Sequence, residues 1–215
     1  MRIIQFLVLA VTLGAAPLGA QNTMSFFITS AGPGDGANLK GLEGADAHCK
    51  QLADASGVQG VAGKTWRAYL SAKASGGQAA VNAKDRIGTG PWYNAKGVMV
   101  AQNVADLHSA NNKLGKENSL TEKGMEVPGR GNAPNHHDII TGSLMDGTLS
   151  PDTTDTTCNN WTSNSTGAAY VGHHDRQGGG SNPTSWNSAH LSRGCSQQNL
   201  ISTGGNGLFY CFAIN

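Results

Sequence analysis

The stretch Gly207-Leu-Phe-Tyr-Cys-Phe-Ala-Ile214 is the clearest strand in the chain: a short apolar run, rich in aromatic residues, opened by a glycine and carrying Cys211 near its centre. Cys158 and Cys195 lie upstream of it, and Cys49 stands alone near the other end. That layout suggests one disulfide tying the two ends together and a second closing a long loop between them. By spacing alone, the four cysteines allow three connectivities.

Cysteines pair only in an oxidising compartment, so the start of the chain matters. Arg2 supplies a positive charge, Ile3 to Leu13 is an apolar core too short to span a bilayer, and Ala15-Ala-Pro-Leu-Gly-Ala20 resembles a cleavage region. The reading is a secretory signal peptide over residues 1–20, followed by a single domain over residues 21–215. No later stretch is apolar and long enough to be a transmembrane segment. The expected location is the periplasm or the outside of the cell.

About 195 residues remain after cleavage, which suits one domain with one core. The full chain carries 15 basic and 14 acidic residues, and Arg2 leaves with the signal peptide, so the mature domain is balanced. Without a Lys/Arg cluster, no electrostatic partnership with nucleic acid or a membrane surface is expected. Thirty glycines and seven prolines, with many Asn, Ser and Thr residues, favour turns over long regular elements.

Ser25 to Thr29 reads as a short strand, followed by the turn Gly32-Pro-Gly-Asp-Gly36. Gly44 to Ser56 has apolar residues at helical spacing, which puts Cys49 on the buried stripe of a helix. Thr65 to Ser71 alternates, with Trp66, Ala68 and Leu70 on one face and Arg67 and Tyr69 on the other. Gln78 to Ile87 reads as a second helix. Val98 to Ala101, Ile139 to Thr141 and Thr156 to Ser163 read as further strands. From Asn111 to Pro134 the residues are polar and without period, a loop long enough to call for a functional or stapling reason.

Two groups of these residues carry a resemblance. Gly44-Ala-Asp-Ala-His-Cys49 followed by Gly63-Lys-Thr-Trp-Arg-Ala-Tyr-Leu-Ser71 resembles the opening of an endostatin-type domain. Cys158-Asn-Asn-Trp161, Trp186-Asn-Ser188, Cys195 and Phe209-Tyr-Cys-Phe212 resemble the closing order of endostatin and C-type lectin-like domains, and are similar also to secreted bacterial lectin-like proteins of uncharacterised role. The resemblance covers both ends of the domain and leaves Asn111 to Pro134 unmatched. It implies an α+β fold with two helices, short antiparallel strands, long loops and the disulfides Cys49–Cys211 and Cys158–Cys195. It also implies a binding module for a glycan or an extracellular protein.

The calcium and sugar site of such lectins is not expected here. Trp186-Asn-Ser188 lacks the carboxylate of that motif and Ala133-Pro-Asn135 lacks the acid, whereas calcium needs several oxygen ligands, charged ones among them. Ligand contacts are assigned instead to Asn135, Trp186, Asn187 and His190 on the long-loop side.

A repeated tripeptide supplies the alternative. His136-His-Asp138 and His173-His-Asp175 concentrate imidazoles and carboxylates, a common ligand set for zinc. On strands, each tripeptide offers a cavity the first His and the Asp, and two such strands side by side make a four-ligand site. On loops, which the flanking Gly and Pro favour, the assignment is His137, Asp138, His174 and Asp175. The competing explanation is a pair of surface turns fixed by His-to-Asp hydrogen bonds. That chemistry implies a zinc-binding protein or a zinc-dependent enzyme; a structural envelope or matrix protein is the third reading. No Gly-x-Ser-x-Gly elbow occurs, two disulfides leave no thiol, and no recognisable carboxylate pair is present, so a binding role is favoured over an enzyme.

Overall fold

The computed structural model describes residues 23–215. The signal peptide expected at residues 1–20 lies outside the described residues. Strand β8 (Tyr210–Ala213), the core of the closing apolar run, is the middle strand of a three-stranded antiparallel sheet between β1 (Phe26–Ile28) and β2 (Trp66–Ala68). Cys211 lies opposite Phe27 on one side and Ala68 on the other. Because side chains alternate along a strand, Phe27, Ala68 and Cys211 enter one buried cluster while Phe26, Ile28, Tyr210 and Phe212 enter a second. A sheet covered on both faces explains an unbroken apolar run where a half-exposed strand would alternate.

Helix α1 (Gly41–Asp54) lies over the first face, burying Ala45, Cys49 and Ala53 at i, i+4 and i+8. The Cys49–Cys211 disulfide joins it to β8, and Cys158–Cys195 is the second bridge. Asp46 is buried on the same helix. Its carboxylate accepts from the guanidinium groups of Arg67 (2.6 Å) and Arg86 (2.8 and 3.0 Å) and from the Ala68 N–H (2.9 Å), so helix and sheet are joined by charge as well as by sulfur.

A two-stranded sheet, β3 (Trp92–Tyr93) with β4 (Met99–Ala101), is followed by the one-turn helix α2 (Val104–Leu107). The third sheet has the order β5 (Asp138–Ile140), β6 (Tyr170–His173), β7 (His190–Leu191), all antiparallel neighbours. Short helices α3 (Cys158–Trp161) and α4 (Gln197–Thr203) complete the α+β architecture.

Several expectations change. Among the described residues four helices replace the two expected, since α2, α3 and α4 are too short to show a helical period in sequence. Gln78 to Ile87 is not a helix: Ala72 pairs with Val81 and Ser75 with Gln78 across a turn at Gly76-Gly77, leaving a single 3-10 turn at Ala83–Asp85. Thr156 to Ser163 is not a strand. Cys158, Asn159, Asn160 and Trp161 all adopt positive φ, a left-handed turn that the Cys195 bridge and the buried Trp161 indole hold in place, its Nε1–H donating to Ser71 O at 2.8 Å. The facing expected around β2 holds, with Trp66, Ala68 and Leu70 in the first cluster and Tyr69 in the second, and Tyr69 is buried because that face is covered as well. The unmatched Asn111 to Pro134 segment is tied down by side-chain amides instead of a ladder: Asn112 donates to Leu107 O and Ser109 O, and Asn94 to Asn118 O.

Candidate metal centre

The third sheet gathers the site. Asp138 on β5 lies directly opposite His173 on β6, so the two side chains share one face. His190 on β7 lies opposite Val171, two residues before His173, which places it on that same face. His137 sits just before β5, released from strand alternation, and turns its ring to the same point, stacked on His173 with centroids 4.4 Å apart.

The four side chains converge on one small volume. Asp138 Oδ1 is 3.3 Å from His137 Nε2, 3.3 Å from His173 Nε2 and 3.6 Å from His190 Nε2, and the Nε2 atoms of His173 and His190 are 3.0 Å apart. Zinc bound tetrahedrally at about 2.0–2.1 Å keeps its ligand atoms roughly 3.3 Å apart, a spacing close to these four separations; His137, Asp138 and His173 form the mutually close set, and His190 adjoins it through Asp138 and His173.

Proton placement leads to the same conclusion. The Nδ1 atoms of His137, His173 and His190 face the carbonyl oxygens of Gln177 (2.9 Å), Pro183 (2.7 Å) and Leu191 (3.0 Å). A carbonyl can only accept, so each Nδ1 carries a proton, and in that tautomer the lone pair of a neutral ring stands at Nε2. Both carboxylate oxygens of Asp138 are buried without a hydrogen bond. Three lone pairs and an anion pointing at one another in a dry pocket repel unless a cation stands between them. The partners on the outer nitrogens are those that orient metal-bound imidazoles.

Electrostatics around the cluster favour positive charge. Burial pulls the His137 pKa down, but the Asp175 and Asp138 carboxylates outweigh it and hold that pKa above the ordinary histidine value. Asp175 itself is held well below the usual carboxylate range: burial pushes it up, and His137 with the N–H groups of Arg130 and Gln177 more than offsets this. Its Oδ1 lies 3.5 Å from His137 Nδ1, behind the ring and away from the convergence point.

Glycines let the backbone close over the cluster. A Cβ at Gly178 would come within 2.1 Å of His173 Cε1, one at Gly180 within 2.8 Å of His190 Cδ2, and one at Gly204 within 3.0 Å of His137 Nε2. The Gly178-Gly-Gly180 run is therefore a close wrap around imidazoles. Of the four side chains, only His190 is appreciably exposed, at 24%, against 8% or less for the others.

The structure brings His137 and Asp138 of the first tripeptide together with His173 of the second and with His190, which the sequence had placed among the ligand contacts, and leaves His174 outside the cluster. His174 is buried away from the cluster, neither ring nitrogen makes a hydrogen bond, and burial pushes its pKa down to about 4. The strand alternative favoured the first His of each tripeptide; that holds for β6, which ends at His173, and fails for His137, which precedes β5. The pairing of β6 with β7 that recruits His190 leaves no local signal.

The remaining assignments fall elsewhere. Trp186 is only 3% exposed and packs against Tyr69, His108 and Tyr210, so its ring faces are occupied. The Asn187 amide donates to Tyr69 Oη, Leu144 O and Met145 O. Asn135 caps the turn before β5, its side chain accepting from the His137 N–H. No family model matches the chain, and no match was found among curated proteins.

Proposed function

We propose that the protein is a periplasmic or extracellular binding module of C-type lectin-like, endostatin-branch architecture whose long-loop face is fastened by a zinc ion held by His137, Asp138, His173 and His190. Two disulfides and the lack of any membrane-spanning helix among the described residues fit such a compartment. The disulfide pairs are those implied by the resemblance. The carrying observation for the ion is the buried Asp138 carboxylate, without hydrogen bonds and facing three imidazole lone pairs.

Coordination by all four side chains would fill a tetrahedral zinc and leave no open position, which is the pattern of a structural ion. The ion would join β5, β6 and β7 and, through the His137 and His173 Nδ1 atoms, the loop carbonyls of Gln177 and Pro183. This supports a structural centre over a zinc-dependent enzyme. Calcium fits poorly, because three of the four ligands are nitrogens.

Metal analysis of the purified, zinc-equilibrated protein is the test. One zinc per chain is expected in the wild type and in His174→Asn, with loss in Asp138→Asn and His173→Ala. A wild type without zinc, or one that loses it on substitution of His174 and not of His173, would overturn the assignment.

A further inference from the structure

Beside the metal centre, Arg176 stands at the rim of a cleft of about 360 Å³, a volume within the range of small-molecule sites. Arg176 follows directly on the His173-His-Asp175 tripeptide and adopts φ 55°, a left-handed conformation with a real cost for a residue with a Cβ. The surroundings hold it there: Nε donates to Leu114 O at 2.6 Å, Nη1 to Thr184 O at 3.3 Å, and Nη2 to Asn112 Oδ1.

All three acceptors are neutral, and no carboxylate lies within ion-pair distance of this guanidinium, unlike Arg67 and Arg86, which share Asp46. A guanidinium has five N–H donors, so two remain after these bonds. The cleft walls combine hydroxyl and amide groups from Ser109, Ser181, Asn182 and Ser185 with the apolar Met145, Pro183 and Trp186, and no acidic side chain is among the lining residues. His108, which also lines it, is neutral in its bonding: Nδ1 donates to Val104 O and Nε2 accepts from Tyr69 Oη. Asp146 lines the adjoining pocket, and Asp175, next to Arg176 in the chain, is engaged with His137 and the Arg130 and Gln177 N–H groups. A fixed, half-buried cation without a counterion, in a polar cleft of limited size, is arranged for a carboxylate, which matches a guanidinium fork.

We propose that this cleft binds a small hydroxylated carboxylic acid, its carboxylate on the free Arg176 N–H groups and its hydroxyls against the Ser and Asn wall. The site is separate from the zinc ligands, but its wall is not independent of them. His173 holds Pro183 O while Arg176 holds Thr184 O, so the metal centre and the cation grip consecutive carbonyls of one loop.

The test is calorimetric titration of zinc-equilibrated protein with glucuronate, with glucose as the neutral isostere. Saturable glucuronate binding at least about tenfold tighter than glucose is expected, a difference of the size a charge-assisted contact gives. Arg176→Gln should abolish the preference. Thr184→Asp offers an independent check, because Thr184 contributes only its carbonyl to the structure and its exposed side chain would carry a competing carboxylate to the guanidinium. Equal affinity for glucuronate and glucose, no binding of glucuronate, or binding undiminished in both variants would overturn the proposal. Zinc content measured on the same samples separates a failure of the cleft from a failure of the metal assignment.

Discussion

Gly178 and Gly179 are adjacent, identical and expected to respond in opposite ways to the same added methyl group. At Gly178 the new Cβ would strike the His173 ring at 2.1 Å, whereas at Gly179 nothing lies within 4 Å, and neither residue has positive φ. Gly178→Ala should weaken zinc binding and cost about 1–3 kcal/mol of stability from overpacking. Gly179→Ala should leave zinc binding intact and be neutral or add about 0.4–1 kcal/mol through the unfolded chain. Zinc competition titrations and urea unfolding on the two variants check this. His108 supports a prediction about acid. Burial pushes its pKa below the ordinary value of 6.5, outweighing the opposing Val104 carbonyl, so below that pH the unfolded chain takes up its proton more readily than the folded one. Stability should therefore fall as pH drops below about 6.5, and His108→Asn should show a shallower fall in its unfolding midpoint under matched conditions.

At the level of elements, α1 and β2 are locked by Asp46, which serves two guanidinium groups and a strand N–H. Asp46→Ala would strand Arg86, whose side chain is 10% exposed, without its counterion. A loss of about 3–5 kcal/mol is expected in chemical denaturation, and much less from Arg67→Ala, because the Arg67 side chain is itself largely solvated at 42%. The clamp was half legible. Helical spacing in Gly44 to Ser56 placed Cys49 inward, and the alternation of Trp66-Arg67-Ala68 turned Arg67 to the other face; nothing local linked either to Arg86. The third sheet was less legible still. Only β5 showed in sequence, as Ile139 to Thr141, because β6 contains a glycine where it meets its neighbour and β7 is two residues long. At Gly172 a Cβ would come within 1.9 Å of Trp186 O, so the residue that weakens the strand signal is the one that lets the next segment approach.

Across the whole molecule, few long elements share the load with covalent crosslinks and, in the proposed function, with a metal ion. Cys49–Cys211 closes 162 residues and Cys158–Cys195 closes 37. In the chain-entropy model these correspond to about 5 and about 4 kcal/mol. Reduction should therefore lower the thermal midpoint more than chelation does, and chelation should act chiefly on the β5–β6–β7 face. Hydrogen exchange checks the second part: removing zinc should raise exchange at the N–H groups of β5, β6 and the Gly178 to Ser185 loop while leaving β1 and β8 protected. Exchange that rises equally in both sheets would argue against a local role for the ion. The central sheet and its helix were readable in sequence because their cause is local: an apolar run buried on both faces and a helical stripe bearing a cysteine need no knowledge of their partners. The placing of His173 and not His174 beside Asp138, the approach of His190, and the lack of an ion pair for Arg176 among the described residues were decided only by the tertiary structure. Strand register and loop closure bring together side chains from distant parts of the chain, and no spacing along the chain encodes those distances.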